Sequence, residues 1–109
     1  MEEMVKVVVA VPESHADNLR ESLGKSGAGR VGNYEFCSFT CKGTGRFLPI
    51  QVANPSIGEI GKLEEVAEEQ VQTFCYKKDL SKIVRAIKET HPYEEPVIEV
   101  WPLLNIEEE

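Results

Sequence analysis

Residues 5–11 form an almost unbroken run of β-branched side chains, and this run limits the possible folds more than any other feature of the sequence. Five of the seven residues are valine, and the exceptions are Lys6 and Ala10. Because valine packs well on a pleated surface and regular polar alternation is absent, the run predicts a strand buried on both faces and central in its sheet. Pro12 then ends the strand.

An amphipathic segment after Pro12 predicts the first helix. Ser14 and Asp17 have the spacing of a capping box, in which side chains satisfy free backbone N–H groups at the helix start. Gly24 and Gly27 end the predicted helix. The apolar residues that follow the helical spacing are Ala16, Leu19 and Leu23.

The second predicted helix has the clearest periodicity in the chain. Its apolar residues fall at positions i, i+3, i+4 and i+7, and they are Leu80, Ile83, Val84 and Ile87. Asp79 precedes them as the predicted N-cap. Pro92 disfavours a helical conformation in the residue before it, so the helix is predicted to end near Thr90 or His91.

Between the two helices, aromatic and apolar residues in extended segments predict an elongated hairpin. Its arms are predicted over residues 34–42 and 46–52, and the glycines within residues 43–45 predict the turn. Pro49 cannot donate a hydrogen bond to a neighbouring strand, which favours an edge position for the returning arm.

Extended segments over residues 71–76 and 96–101 complete the pattern. The order of elements is β-α-β-β-α-β, the split βαβ or ferredoxin-like plan. The predicted fold class is therefore α+β, a two-layer sandwich of helices on a sheet with an elongated central hairpin. Without an internal linker, residues 1–109 are predicted to form a single domain with an acidic tail at residues 105–109.

The charge distribution argues against nucleic acid or membrane as a partner. The formal net charge is -7, and residues 107–109 supply three of the negative charges. No basic stripe accompanies the aromatic residues, so a phosphate backbone would be repelled. The N-terminus is acidic where a secretion signal would be basic, and no apolar run is long enough to span a bilayer. These features predict a cytoplasmic protein.

The three cysteines do not form an evident ligand set. Cys37 and Cys41, on one predicted strand, would lie about 13 Å apart at ~3.3 Å per residue. That separation is too large for a disulfide bond or a shared metal ion, so both are predicted to be semi-buried thiols. Cys75 is predicted to pack in the core or at an edge. No cofactor and no catalytic residue are predicted.

Residues 91–96, HPYEEP, combine a titratable imidazole with two prolines and two carboxylates. At the end of the second helix, the helix dipole and nearby carboxylates would favour the protonated form of His91. One interpretation is structural, with His91 capping the helix before a rigid turn. The alternative is a divalent-metal-binding or hydrolytic site that uses His91 with Glu94 or Glu95.

Seven short blocks of sequence, in a specific order, carry a family resemblance. They are Val11–Glu13, Gly32–Tyr34, Cys37–Phe39, Gly43–Phe47, Ala53–Gly58, Gly61–Glu64 and His91–Pro96. Over about Val5 to Leu103, the chain resembles the PII/CutA-like domain inserted in Nif-three-like dinuclear-metal proteins. The last block separately resembles the segment that enters the final strand of CutA proteins.

This resemblance implies a ferredoxin-like sheet of the CutA/PII type that trimerises through its edges, and a regulatory or assembly role. It does not imply a two-metal centre, because the ligands of that centre belong to flanking domains. The chain departs from the family pattern at Val52, where a glycine usually precedes Ala-Asn-Pro. It also departs at Gln70 and Gln72, where the family tends to carry an arginine and a glutamate, so a charged contact at that pair is not expected.

The rigid turns predict where a ligand would bind. The loop over residues 54–61 and the turn over residues 91–95 are expected to converge on one cleft. The candidate ligand-binding residues are Asn54, Pro55, Gly58, Gly61, His91, Tyr93, Glu94 and Glu95. If a metal ion were bound, His91 and Glu94 would be its ligands.

The predicted function is a non-enzymatic homo-oligomer, a trimer before a dimer, that binds a small-molecule ligand or a partner protein. The alternative is that the two rigid turns only fix strand register and subunit contacts. A loop rich in glycine and proline serves either purpose, because both purposes need a defined backbone shape.

Overall fold

The computed structural model of the chain describes residues 2–106, so residues 107–109 of the predicted acidic tail lie outside the described residues. All four strands lie antiparallel in one sheet with the order β2-β3-β1-β4. The predicted ferredoxin-like βαββαβ architecture is confirmed. The elements are β1 (Met4–Pro12), a 3₁₀ turn (Glu13–His15), α1 (Ala16–Lys25), β2 (Phe39–Phe47), β3 (Glu64–Tyr76), a second 3₁₀ turn (Lys77–Asp79), α2 (Leu80–Thr90) and β4 (Ile98–Leu103).

β1 takes an inner position in the sheet, as the valine run predicts. Its odd-numbered valines face the helices and join one hydrophobic cluster with Leu19, Ile83 and Ile87. On the opposite face, Val8 is also only 4% exposed. The strand is therefore buried along the helix face, whereas on the opposite face Val8 is buried but Met4, Lys6 and Ala10 are only half-buried.

The face of the sheet opposite the helices, called the open face here, carries exposed apolar side chains. Strand pairing and the two-residue alternation of side chains place Phe39, Tyr76, Trp101 and Leu103 on the same face as Val8. All four of these large side chains are exposed. The open face therefore differs from an ordinary solvated sheet face, which is polar.

Both helices begin with a 3₁₀ turn instead of the predicted side-chain caps. The Ser14 hydroxyl is hydrogen bonded to His15 Nδ1 at 2.9 Å, and no side chain caps the start of α1. The predicted capping box is therefore wrong. Asp79 takes the predicted N-cap position of α2 but makes no side-chain cap hydrogen bond. Backbone carbonyls of the 3₁₀ turns accept the first N–H groups instead, in the bonds Ala16 N–H to Glu13 O and Leu80 N–H to Lys77 O.

The elongated hairpin is present, but its turn does not lie at residues 43–45. β2 continues through these residues to Phe47, and the connection to β3 is formed by residues 48–63. The predicted returning arm over residues 46–52 is therefore wrong. Pro49 lies in the connection, where its carbonyl accepts a hydrogen bond from the Gly61 N–H at 2.7 Å.

The hairpin extends beyond the rest of the sheet. β3 pairs with β2 over residues 64–72 but with β1 only over residues 68–76. Residues 44–67, called the hairpin tip here, therefore project past the end of β1, and the molecule measures 56 × 22 × 21 Å. This projection supplies one wall of the cavity described below.

The three cysteines are free thiols. Cys75 is buried in the core cluster, as predicted. Cys37 is half-buried, as predicted, but it precedes β2, which begins only at Phe39. Cys41 lies on β2 and is exposed, so the prediction of a semi-buried thiol is wrong for Cys41, and the two cysteines do not share a strand. Among residues 2–106, no helix combines the length and apolar character needed to cross a membrane.

Candidate functional site

His91 is the C-cap of α2, as the structural interpretation predicts. Its side chain is only 7% exposed, and both ring nitrogens make hydrogen bonds to the backbone. Nδ1 accepts from the Tyr93 N–H at 3.1 Å, which assigns the ring proton to Nε2, and Nε2 donates to Ala10 O at 2.7 Å. His91 therefore ties the turn after α2 to the end of β1.

Burial lowers the pKa of His91 below its ordinary value, although the hydrogen bond to Ala10 and the charge of Glu68 act in the opposite direction. The prediction that the helix dipole and nearby carboxylates favour the protonated form of His91 is therefore wrong. Neither ring nitrogen is free to bind a metal ion. Among residues 2–106, no group of three or more histidine, cysteine or acidic side chains is placed to hold one.

Tyr93 connects this turn to the hairpin. Its hydroxyl donates to Glu68 Oε2 at 2.6 Å, and its ring packs edge-on against Phe47 with 5.4 Å between the centroids. Burial raises the pKa of Tyr93, and the hydrogen bond to Glu68 and the negative charges of Glu68 and Glu64 raise it further. The hydroxyl is therefore a neutral donor at physiological pH.

Glu68 is the acceptor in this contact, and no sequence pattern predicts its role. It lies within a polar segment of β3, yet its side chain is only 9% exposed. The carboxyl group lies directly against Gly45 of β2, and a Cβ at Gly45 would collide with it. This close approach explains why a glycine interrupts the strand there.

The loop over residues 54–61 and the turn over residues 91–95 come together, as expected. The Asn54 N–H donates to Glu94 Oε1 at 2.9 Å, and the Ser56 hydroxyl donates to Pro92 O at 2.7 Å. Ser56 is a contact that the list of candidate residues does not include. These two hydrogen bonds hold the loop of the hairpin tip against the turn.

A cavity of about 380 Å³ lies where these segments meet. Four candidate residues line it, namely Pro55, Tyr93, Glu94 and Glu95. The other four do not line it: Asn54, Gly61 and His91 make the hydrogen bonds that hold the surrounding backbone, and Gly58 has a left-handed φ angle of 95°. The remaining lining residues are Ala10, Gly45, Arg46, Phe47, Leu48, Pro49, Ile50, Ala53, Glu68 and Val97.

Sequence reasoning missed most of the apolar wall. The sequence predicts a strand arm at Phe47, Leu48 and Ile50, whereas Phe47 ends β2 and the other two lie in its connection to β3. Their apolar character in a glycine- and proline-rich stretch is the signal that could have identified them, because solvent-exposed loops are usually polar.

The departures from the family pattern have visible structural consequences. Val52 is 98% exposed and has a φ angle of 62°, a left-handed conformation that favours glycine. The glycine usual at this position is therefore explained by the backbone. Gln70 and Gln72 hydrogen bond to each other at 3.0 Å on the open face, so a neutral contact occupies the place of the charged pair.

Comparison with known proteins agrees with the resemblance found in the sequence. No protein-family model matches the chain. The chain is 46% identical over 104 residues to a Halalkalibacterium halodurans protein named GTP cyclohydrolase 1 type 2 homolog, covering 95% of this chain and 28% of that protein. A crystal structure of a Bacillus cereus protein related to NIF3 matches with a TM-score of 0.81 and 43% identity, covering 95% of this chain and 26% of that one. The chain thus spans about a quarter of the length of these relatives.

Two further solved structures share the fold at low identity. CutA from Archaeoglobus fulgidus, titled a periplasmic divalent cation tolerance protein, gives a TM-score of 0.67 at 15% identity, covering 94% of this chain and 85% of that one. The structure of the Bacillus subtilis GlnK–ATP complex gives a TM-score of 0.63 at 14% identity, covering 94% of this chain and 84% of that one. At such identities the likeness concerns the fold alone. The chain resembles the PII/CutA-like domain of NIF3-related proteins in both sequence and fold.

Proposed function

We propose that this PII/CutA-like module is a non-enzymatic binding protein whose cavity takes a small-molecule ligand. The observation that carries the proposal is the cavity itself, whose volume of about 380 Å³ lies within the range of ligand pockets. The cavity is formed by two segments that hydrogen bonds already hold together, so binding would require little ordering of the chain. A cytoplasmic location and a regulatory or assembly role belong to the same proposal.

The chemistry of the lining favours binding over catalysis. Its residues include no serine, cysteine, lysine or histidine, so a nucleophile paired with a base is not found among them. His91 lies behind Tyr93 with both ring nitrogens engaged. The fold is also known in complex with a small ligand, because the GlnK structure contains ATP. That precedent supports a binding role without identifying the ligand.

The test is to fill the cavity. Ala53 lines it, and we expect Ala53→Trp to abolish the binding of small apolar fragments, because the indole would occupy the space. Ala67 is exposed and does not line the cavity, so Ala67→Trp is the matched control. Fragment binding would be measured by amide chemical-shift changes in ¹H–¹⁵N spectra. The proposal fails if no fragment shifts the lining residues, or if both variants bind alike.

We further propose that the module is a homo-oligomer, with a trimer as the preferred state. β2 and β4 are the two edge strands, so each presents unpaired backbone groups. Because the two edges differ, pairing β2 of one copy with β4 of the next is a head-to-tail contact, which forms a trimeric ring if three copies complete the rotation. The exposed apolar side chains of the open face would be covered in such a ring.

Light scattering after size exclusion tests this assembly. Trp101→Glu places a charge on the open face, and we expect it to shift the mass from trimer towards monomer. Tyr34→Glu is the control, because Tyr34 is also an exposed aromatic residue but lies outside the four-stranded sheet. A monomeric mass for the unaltered protein at tens of micromolar would remove the assembly proposal while leaving the cavity proposal standing.

A further inference from the structure

The cavity has a strong asymmetry of charge. Three carboxylates line it, those of Glu68, Glu94 and Glu95, against a single cationic side chain, Arg46. The Arg46 guanidinium is already paired, with 3.1 Å between its Nε and Glu65 Oε2. An anionic ligand would therefore meet three carboxylates and one guanidinium that is already partly neutralised.

Glu68 is the most unusual of the three carboxylates. More than nine-tenths of it is buried, yet the described residues offer it a single hydrogen-bond donor, the Tyr93 hydroxyl on Oε2. No Lys, Arg or His among the described residues forms an ion pair with it. Oε1 thus has no donor among the described residues, so water or a group of a bound ligand must supply one.

Oε1 is not sealed inside the protein. Within residues 2–106, every fully buried side-chain nitrogen or oxygen has a hydrogen-bond partner, so the unpaired Oε1 must retain accessible surface. Glu68 lines the cavity, and its carboxyl group packs directly against Gly45 of β2. Lys42 lines a neighbouring groove that Glu68 also borders, but it makes no ion pair with Glu68.

The rest of the lining is apolar and aromatic. Phe47, Leu48, Pro49, Ile50 and Val97 would contact the body of a bound molecule. Phe47 and Tyr93 place two aromatic rings at the same wall as Glu68, and aromatic faces attract cations as well as apolar groups.

We infer that the cavity binds a compact organic cation, an amine with an apolar or aromatic body whose ammonium group pairs with Glu68 Oε1. This inference rests on the proposed binding function and narrows its ligand class. An ammonium group would supply the donor and the counter-charge that Glu68 lacks, while the body would cover the apolar wall. Nucleotides and other phosphate esters are the ligands that this lining disfavours.

The test compares three molecules that share one body and differ in charge: 3-phenylpropylamine, 3-phenylpropan-1-ol and 3-phenylpropanoate. At neutral pH these are a cation, a neutral molecule and an anion. Dissociation constants would be measured by ¹H–¹⁵N chemical-shift titration of the full chain. We expect the amine to bind about tenfold or more tightly than the alcohol, and the carboxylate most weakly.

Two variants, each of which replaces one glutamate by glutamine, test whether the preference for the amine depends on Glu68. Glu68→Gln keeps the shape of the side chain, and we expect it to weaken the amine about tenfold or more while changing the alcohol less than about twofold. Glu59→Gln is the control, because Glu59 is exposed and does not line the cavity. It should leave all three dissociation constants unchanged.

Each outcome separates this inference from the proposed function. If the alcohol or the carboxylate binds as tightly as the amine, the charge preference is wrong and the cavity still binds ligands. If Glu68→Gln leaves the affinity for the amine unchanged, the inference that the ammonium group pairs with Glu68 is wrong. If none of the three molecules, and no fragment, shifts the lining residues, both proposals fail. The comparison of amine and alcohol uses the unaltered protein, so it does not depend on the folding of any variant.

Discussion

The helix face of the sheet and the hairpin tip both carry apolar side chains, but the chain covers only the helix face with its own residues. On the helix face, Val7, Leu19 and Ile83 are fully buried. In the hairpin tip, Leu48 and Ile50 remain at least half exposed although they border a cavity. Burial of the helix face therefore contributes most to the stability of this fold, whereas the apolar surface of the hairpin tip is available to a molecule from outside.

The largest expected effect comes from truncating the helix face. Ile83→Ala should lower the free energy of unfolding by ~2–5 kcal/mol, because a fully buried side chain is replaced by a cavity. Ile50→Ala in the hairpin tip should cost about 0.5 kcal/mol or less, since Ile50 is largely exposed. Urea denaturation measures both values. Equal losses would show that the hairpin tip is part of the folding core.

The second-largest effect is expected where the hairpin tip meets the rest of the sheet, at the contact between Gly45 and Glu68. Gly45→Ala places a Cβ into the carboxyl group of Glu68 and should cost ~1–3 kcal/mol. The matched change Gly43→Ala meets open space two residues earlier on the same strand, so its cost should be within about 0.5 kcal/mol of zero. The melting temperatures of the two variants measure this difference in stability. A similar melting temperature for both would mean that Glu68 can move away without loss.

A smaller effect of opposite sign is expected at the end of the hairpin tip. Val52→Gly should stabilise the protein by about 0.5–1 kcal/mol, because glycine adopts a positive φ angle without the strain that a β-branched residue carries. Glycine also increases the entropy of the unfolded chain, which limits the gain. Val31→Gly, at an exposed valine without a positive φ angle, should destabilise instead. Denaturation midpoints that fall for both variants would contradict this account.

The smallest effect is a dependence on pH. Burial lowers the pKa of His91 in the folded state, so the unfolded state binds the proton more readily. Stability from this group is therefore complete above the unfolded pKa of about 6.5 and decreases as the pH falls through it towards the lower folded pKa. Melting temperatures between pH 8 and 5 should fall less steeply for His91→Gln than for the unaltered protein. His15→Gln serves as the control for removing a histidine, and an equal flattening in that variant would contradict the assignment.

The helix face was predictable because its signals are local. The valine run of residues 5–11 and the periodicity of residues 80–87 each specify a burial pattern within one element. Only the part of the site with local signals, its two rigid turns, was predictable in the same way. The glycines and prolines of residues 54–61 and 91–96 indicate rigid turns, and the two turns do meet.

The rest of the site depends on strand register, which the sequence does not display. Gly43 and Gly45 have the pattern of a tight turn, but β2 passes through them because Gly45 makes room for Glu68 of the neighbouring strand. Glu68 itself lies between Ala67 and Glu69 in an acidic stretch that does not mark it as a buried residue. His91 was expected to be charged because local charges suggested it, whereas its burial against Ala10, 81 residues earlier, decides its state.

The position of Trp101 makes its intrinsic fluorescence a measure of subunit association. It is the only tryptophan in the chain, and it lies half-exposed on the open face without lining the cavity. Its fluorescence emission should shift to shorter wavelength when another copy covers the open face, since the indole would leave water. Tyr93, in contrast, lies at the cavity wall. Emission excited selectively from tryptophan therefore follows subunit association, and it can be recorded on the unlabelled protein at concentrations too low for nuclear magnetic resonance.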